Sequence, residues 1–319
     1  MRTDYFDSLI DDFGIWQHTD GQAILYDEGY ALDDAARGLI ACLSLQKLEQ
    51  ADVLFRYIFL SFHYNGFYGF ATKDRKFIKY PASEDAVGQV MWAMGYAYSL
   101  NFHKSESKTL FDKLIPVVSA FHHFRGFAYA LLGAVYINQK LSLKLAGKLK
   151  WYFRNCQKQW LWPESTMTYG NGIIPYAFLR YAIVAKDPDM AQFGLQVLEF
   201  VQAKCTDHRL LGPIGNDKWL SEKADKAPNY SQQPIDSAYM IWAWVATYQY
   251  FHKTEYLNKA KLWMEWFKGK NIKHLPMYDS RSLMCYDGID ETSIHYHSGA
   301  EANICILLSI NILNTLNSI

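Results

Sequence analysis

The sequence lacks the features that mark several large classes of protein. Its five cysteines are odd in number and show no Cys-x-x-Cys spacing, which argues against a disulfide framework and against a zinc ribbon. Lys and Arg together number 32, as do Asp and Glu, so no net charge steers the chain toward DNA, RNA or an anionic membrane. We therefore predict no nucleic-acid partner, no metal and no cofactor.

Long apolar runs and two common catalytic motifs are also missing. The longest apolar run near the end, Ile304 to Ile310, is far too short to cross a bilayer, and the first residues carry acids instead of an apolar signal segment. These observations predict no membrane partner and a cytoplasmic location. Without a Gly-x-Ser-x-Gly elbow or a Gly-x-x-x-x-Gly-Lys phosphate loop, serine hydrolase chemistry and nucleotide-sugar transfer by this chain alone are disfavoured.

Helical periodicity dominates what is present. Apolar residues recur at helical spacing in twelve segments that come in pairs, each pair joined tightly and separated from the next by a longer loop. Between pairs, aromatic-rich alternating segments predict short β-hairpins at Phe67–Tyr80, Arg209–Ile214 and Met277–Tyr286. No Pro/Gly/Ser linker divides the chain, so residues 1–319 are predicted to form one all-α domain.

Acidic residues stand at the starts of alternate helices. If six hairpins close into a ring with the first helix of each pair inside, these helix starts meet at one mouth, which is the (α/α)6 toroid with an acidic cup. The acids are Asp33, Asp34, Glu84, Asp85, Glu164, Asp236 and Glu301. Each acid taken singly is also explained as a helix cap or a first-turn acid that complements the helix dipole.

The segment before the predicted fourth helix pair is the richest in site-like residues. Glu164 follows Trp160 and Trp162, and Tyr169 and Asn171 lie in the turn that leads to Pro175. Flat aromatic faces beside carboxylate and amide groups suit a sugar ring, which offers apolar C–H patches and many hydroxyls. The alternative is a tryptophan-rich connection that fills the core.

Several motifs together resemble a known superfamily. They are Gly29-Tyr-Ala-Leu-Asp-Asp-Ala-Ala-Arg-Gly-Leu-Ile40, Glu84-Asp-Ala-Val-Gly-Gln-Val-Met-Trp-Ala-Met-Gly95, Trp162-Pro-Glu-Ser-Thr-Met-Thr-Tyr-Gly-Asn171, Gln232-Gln-Pro-Ile-Asp-Ser-Ala238 and Gly299-Ala-Glu301. In this order they resemble the bacterial six-hairpin glycosidase superfamily, in domains that occur alone or fused to glycosyltransferase modules. The resemblance implies the (α/α)6 fold, a carbohydrate context and a glycosyltransferase as a candidate partner. Ala35, Gln89 and Ser165 depart from the pattern, which has Asn, Arg and a second acid there.

Glycoside hydrolysis needs one protonated carboxyl and one ionised carboxylate. Trp160 and Trp162 are expected to strip solvent from Glu164 and raise its pKa, which predicts Glu164 as the proton donor. Asp85 or Asp34, kept ionised at a helix N-terminus, is the predicted base. The predicted sugar-binding residues are Asp33, Glu84, Trp162, Tyr169, Asn171, Gln233, Asp236, His295, His297 and Glu301.

Two other functions stay open. His295 and His297 point the same way if their segment is extended, so they suit a sugar epimerase or isomerase that moves a proton next to a carbonyl; a metal site is the weaker reading. The departures from the superfamily pattern also fit a non-catalytic glycan-binding module or one that serves a glycosyltransferase.

Overall fold

The computed structural model describes residues 2–64, 66–207, 210–224 and 226–317, and these contain twelve α-helices, as the sequence predicts. Each predicted helix is present, with ends that shift by up to several residues. The helices are α1 Asp4–Ser8, α2 Leu32–Ser44, α3 Leu48–Ser61, α4 Glu84–Ser99, α5 Lys104–Ser119, α6 Phe124–Ile137, α7 Gln139–Tyr152, α8 Ile173–Ala185, α9 Pro188–Lys204, α10 Pro234–Phe251, α11 Thr254–Phe267 and α12 Ala300–Asn317.

Alternate helices differ in how completely they are buried. In α10 every residue from Pro234 to Thr247 is buried, and α2, α4, α6 and α8 are nearly as enclosed. Their partners α3, α5, α7, α9 and α11 each bury one face only. A helix that is apolar on all sides must lie inside, whereas an amphipathic helix covers it from outside. No helix within the described ranges is long and apolar enough to span a bilayer.

The described residues divide into two compact units. The first comprises residues 1–149 and 298–304, and the second comprises residues 150–297 and 305–319. In the first unit α4 packs against α2, α5 and α6, and in the second α10 packs against α8, α9 and α11. The single domain predicted for residues 1–319 stays a prediction.

Short antiparallel strand pairs occupy the connections. β1 Thr19–Asp20 pairs with β2 Ala23–Ile24, β4 Phe62–His63 with β5 Gly66–Phe67, β8 Thr206–Asp207 with β9 Leu210–Leu211, and β11 Gly288–Ile289 with β12 Ile294–His295. Two pairs join distant segments: β3 Tyr30–Ala31 with β6 Phe70–Ala71, and β7 Thr166–Met167 with β10 Leu220–Ser221. The short hairpins expected in the loops are therefore present.

Three predicted hairpins differ in detail. Phe70–Ala71 pairs with β3 instead of forming a strand pair with Lys76–Tyr80, where one isolated bridge joins Phe77 to Ala71. Met277–Tyr286 contains a single bridge, between Tyr278 and Cys285. In the predicted hairpin at 209–214, Arg209 lies outside the described residues. Alternating patterns do not encode which distant segment supplies the partner strand.

Helical periodicity in the sequence predicts one helix from Ser142 to Gln159, and the observed helix is displaced from it. α7 begins earlier because the Asn138 side chain accepts a hydrogen bond from the Leu141 N–H at 3.0 Å, which is a typical capping contact. It ends at Tyr152, and the chain then turns through residues 153–165. The predicted end of the helix, Gln159, was therefore wrong by seven residues. Because the helix ends early, residues 153–165 form a long non-helical segment of the second unit.

Glycines let α4 and α6 approach closely. A Cβ on Gly95 would collide with the Gly133 carbonyl, and one on Gly133 would collide with the Met91 carbonyl. Gly88 faces Gly126 in the same way, at 2.6 Å from a built Cβ to the carbonyl oxygen. Two glycines spaced seven apart on each helix thus set the distance between the two axes.

We expect Gly95→Ala to destabilise the protein by about 1–3 kcal/mol, because the added methyl forces two backbones apart. Gly147→Ala is the matched control: it is also a helical glycine, with nothing within 4 Å of a built Cβ. There the change should stabilise by roughly 0.5–1 kcal/mol through helix propensity. Denaturant unfolding of both variants measures this, and equal effects at the two positions would contradict the packing argument.

Candidate active site

One buried arginine holds three carboxyl groups in the first unit. Asp33 and Asp34 lie in the first turn of α2, and Arg37 follows at the i+4 and i+3 spacing that brings side chains to one face. The Arg37 guanidinium donates to Asp33 Oδ2 and to Asp34 Oδ1, each at 2.9 Å, and to Glu301 Oε2 in the first turn of α12. We call these four residues the carboxylate cluster.

The start of α12 is tied to an early segment of the chain. Thr19 Oγ1 donates to the Ser298 carbonyl at 2.7 Å, and the Ala300 N–H donates to the Gln17 carbonyl at 3.0 Å. The Tyr5 hydroxyl lies 2.8 Å from Thr19 Oγ1. These contacts fix where α12 begins and therefore where Glu301 meets Arg37.

The members of the cluster differ in exposure. The side chains of Arg37 and Asp34 are 4% and 6% exposed, whereas those of Asp33 and Glu301 are 37% and 36% exposed. Asp34 thus lies beneath two carboxylates that reach the surface of the first unit. Three carboxyl groups share one guanidinium, an arrangement that favours retention of a proton by the most buried of them.

The protonation of Asp34 reverses a prediction from the sequence. Burial, together with the neighbouring Asp33 and Glu301 carboxylates, raises the pKa of Asp34 to about 8, although Arg37 and His18 oppose the shift. The expectation that Asp34 stays ionised at the helix N-terminus was wrong, because the loss of solvation and the neighbouring carboxylates outweigh the attraction of Arg37. Asp34 is therefore mostly protonated at neutral pH.

Glu84 and Asp85 make protein contacts at the starts of α4 and α6. Ser83 caps α4 by accepting the Ala86 N–H at 3.1 Å. The Glu84 carboxylate accepts the N–H groups of His122 and His123 at 2.7–3.0 Å, which secures the turn before α6. Asp85 Oδ2 lies 3.5 Å from Arg125 Nη1, and both side chains are mostly buried. Catalysis by Asp85 and sugar binding by Glu84 stay predictions.

Glu164 lies in a different setting from the one expected. Trp160 Nε1 donates to the backbone carbonyl of Glu164 at 2.6 Å, and Trp162 is buried with its ring edge-to-face against Phe153. The Glu164 residue itself is exposed. The expectation that Trp160 and Trp162 desolvate its carboxyl was therefore wrong, because Trp160 binds the Glu164 backbone and the residue stays exposed.

Side chains at the start of α10 and in the turn before α8 bind neighbouring loop residues. Asp236 is buried and accepts the Gly170 N–H at 2.7 Å, while Asn171 donates to the Thr168 carbonyl at 2.9 Å. The Gln233 side chain accepts a hydrogen bond from Asn216. Tyr169, between these fixed points, is 38% exposed. Their contact with a sugar stays a prediction.

His295 and His297 lie side by side. Their rings stack with centroids 4.6 Å apart and an interplanar angle of 14°. The extended backbone places both on one face, as the i, i+2 spacing predicts. In the part of the chain that the structure describes, no group of three His, Cys, Asp or Glu residues is arranged to hold a metal ion.

The predicted acids are distributed over both compact units. Asp33, Asp34, Asp85 and Glu301 belong to the first, and Glu164 and Asp236 belong to the second. Of these, the structure brings Asp33, Asp34 and Glu301 together, and convergence of all the acids in one cup stays a prediction. Sequence reasoning missed Arg37 as the organising residue, although its spacing from Asp33 and Asp34 is a readable helical signal.

Comparison with known proteins places the fold. No protein-family model matches the chain, and no curated protein sequence does so either. Among solved structures, a cellobiose 2-epimerase from Bacillus thermoamylovorans is 12% identical, with a TM-score of 0.72 over 96% of this chain and 95% of that one. The chain has the (α/α)6 fold. This is the fold that the sequence resemblance implies.

Two further structures have the same fold. A D-mannose isomerase is 13% identical with a TM-score of 0.73, over 98% of this chain and 94% of that one. A GH76A α-1,6-mannanase from Salegentibacter is 10% identical with a TM-score of 0.67, over 98% of this chain and 97% of that one. At such low sequence identity, the structural similarity shows that the fold is shared, and it does not identify the reaction.

The raised pKa of Asp34 makes stability depend on pH. Because the folded protein binds this proton more tightly than the unfolded chain, the contribution is complete below about pH 4 and is lost as pH rises through about 8. The loss approaches roughly 1.4 kcal/mol per pH unit within this window. Asp34→Asn should remove this contribution, so its free energy of unfolding should fall less steeply than the wild type's between pH 5 and 8 in denaturant titrations. Parallel profiles would contradict the assignment.

Proposed function

We propose that this chain is a carbohydrate-active enzyme, a glycoside hydrolase whose acid and base belong to the carboxylate cluster. One observation carries the proposal. Three carboxyl groups meet at one buried guanidinium, the most buried of them keeps its proton near neutral pH, and the other two reach the surface.

The cluster contains both forms of carboxyl that hydrolysis needs. Asp34, with its pKa raised to about 8, is the proposed proton donor to the leaving oxygen. Asp33 and Glu301, over a third exposed, are the proposed carboxylates that activate water or attack the sugar carbon. These assignments replace Glu164 as the acid, because its exposed carboxyl lacks the burial that the role requires.

The substrate class is supported by proteins of the same fold. The three described above are named as an epimerase of cellobiose, an isomerase of mannose and an α-1,6-mannanase. We therefore propose a neutral saccharide as substrate. A glycosyltransferase partner and a cytoplasmic location stay predictions from the sequence.

A sugar epimerase or isomerase is the second candidate. The stacked imidazoles of His295 and His297, 4.6 Å apart, favour it, because one ring can accept a proton while the other donates one. A non-catalytic glycan-binding module is the remaining alternative, which binding without turnover would support.

The hydrolase proposal predicts that Asp34→Asn lowers kcat by roughly 10²–10⁴-fold, the usual contribution of a general acid. Wild-type activity should fall as pH rises above about 8, where Asp34 loses its proton. Asp12→Asn is the matched control, because Asp12 also pairs with an arginine, Arg75, but its side chain is 76% exposed. The assay follows reducing-end release from cellobiose, α-1,6-mannobiose and aryl glycosides. Full activity of Asp34→Asn would overturn the assignment.

The second candidate is tested on free monosaccharides. If the chain is an epimerase or isomerase, mannose or glucose should yield a new sugar by chromatography, and His295→Asn and His297→Asn should each lower that rate by roughly 10²-fold or more. His252→Asn serves as control, since His252 is an exposed helix C-cap in the second unit. Bond cleavage without any new monosaccharide isomer would exclude this candidate.

A further inference from the structure

We infer that the second unit contains a saccharide-binding cavity built by the segment after α7 and by Glu222. The cavity measures about 440 Å³ and is lined along the chain from Trp151 to Ser165, with Glu222 from a distant segment. Sites for small ligands usually measure roughly 300–1,000 Å³, so a sugar fits this volume. All of its lining residues belong to the second unit, and the inference does not require the carboxylate cluster to be catalytic.

The aromatic wall of the cavity is held in place by its neighbours. Trp160 is anchored by its hydrogen bond to the Glu164 carbonyl and packs edge-to-face on Phe200, with centroids 5.7 Å apart. Trp162 packs in the same way on Phe153. Trp160 and Trp162 are themselves buried, so they form the base of the wall. The aromatic ring open to a ligand is that of Trp151, which is 51% exposed and offers apolar area to the C–H groups of a sugar.

Two carboxylates enter the cavity from segments far apart in the sequence. β7 pairs with β10, and the Glu222 N–H donates to the Ser165 carbonyl at 2.8 Å, which brings Glu222 to the same wall as Glu164. Both residues are exposed, and a carboxylate accepts two hydroxyl hydrogen bonds at once. Asn155 and Gln157 add amide groups to the lining.

The charge of the lining selects among sugars. Arg154 lies with its guanidinium 3.3 Å from the centre of the Trp151 ring, where it also donates to the Trp151 carbonyl at 3.0 Å. The lining therefore carries two carboxylates against one cation that already stacks on a ring. The two carboxylates would repel a phosphate or carboxylate group on a ligand inside the cavity. A neutral saccharide is therefore favoured over a phosphorylated or acidic one.

A natural reporter group lies inside the cavity. Cys156 lines it and is half-buried, whereas the other four cysteines, all within the described residues, are buried. Burial and the nearby Glu222 carboxylate raise the pKa of the Cys156 thiol. Alkylation at mildly alkaline pH should thus modify Cys156 selectively, and the modified residue is identified by peptide mass spectrometry.

The experiment measures the alkylation rate of Cys156 in the full chain with increasing cellobiose or α-1,6-mannobiose. Binding should slow the reaction about tenfold when the saccharide is about ten times its Kd, because only the empty cavity reacts. Glucose 6-phosphate should protect much less. If neither disaccharide slows alkylation up to its solubility limit, the inference is overturned.

Variants separate this site from the proposed catalytic one. Glu222→Gln and Glu164→Gln should each reduce protection, and Glu222→Gln should also speed alkylation without sugar by lowering the pKa of the thiol. Glu255→Gln, an exposed first-turn acid of α11, is the matched control. Asp34→Asn should keep full protection while losing turnover. Protection unaffected by Glu164→Gln and Glu222→Gln would place the bound sugar elsewhere and overturn the inference.

Discussion

The burial of one cation, Arg37, is the constraint on which the proposed active site depends. A guanidinium removed from water must be met by charge and hydrogen bonds, because an unpaired buried ion costs several kcal/mol. Asp33 and Asp34 come from the same turn of α2, but Glu301 comes from the other end of the chain. The arginine therefore links the start of α2 to the start of α12 and determines where three carboxyl groups meet.

The same arrangement sets the protonation of Asp34. Two carboxylates neutralise more charge than one guanidinium supplies, so a third carboxyl in the buried position keeps its proton at neutral pH. In the proposed hydrolase Asp34 is the acid and Asp33 or Glu301 the base, and all three contact one guanidinium. The two adjacent aspartates differ in burial, since the Asp34 side chain is 6% exposed and that of Asp33 is 37% exposed.

Polar residues in the second unit serve mainly to shape its loops. Asp236 holds the turn at Gly170, Gln233 binds Asn216, and Trp160 binds the backbone at Glu164. Glu164 and Glu222 are exposed, and their neighbourhood is set by the pairing of β7 with β10.

The sequence by itself determined the twelve helices and their alternation of buried and covering members, because helical periodicity is a local property of the chain. It also placed acids at the helix starts and put His295 and His297 on one face. Only the tertiary structure decided which acids meet, that Arg37 joins them, that Asp34 is buried and Glu164 exposed, and that Glu222 reaches the segment after α7. These facts depend on contacts between residues far apart in the chain, and both pKa and exposure follow from such contacts and not from local spacing.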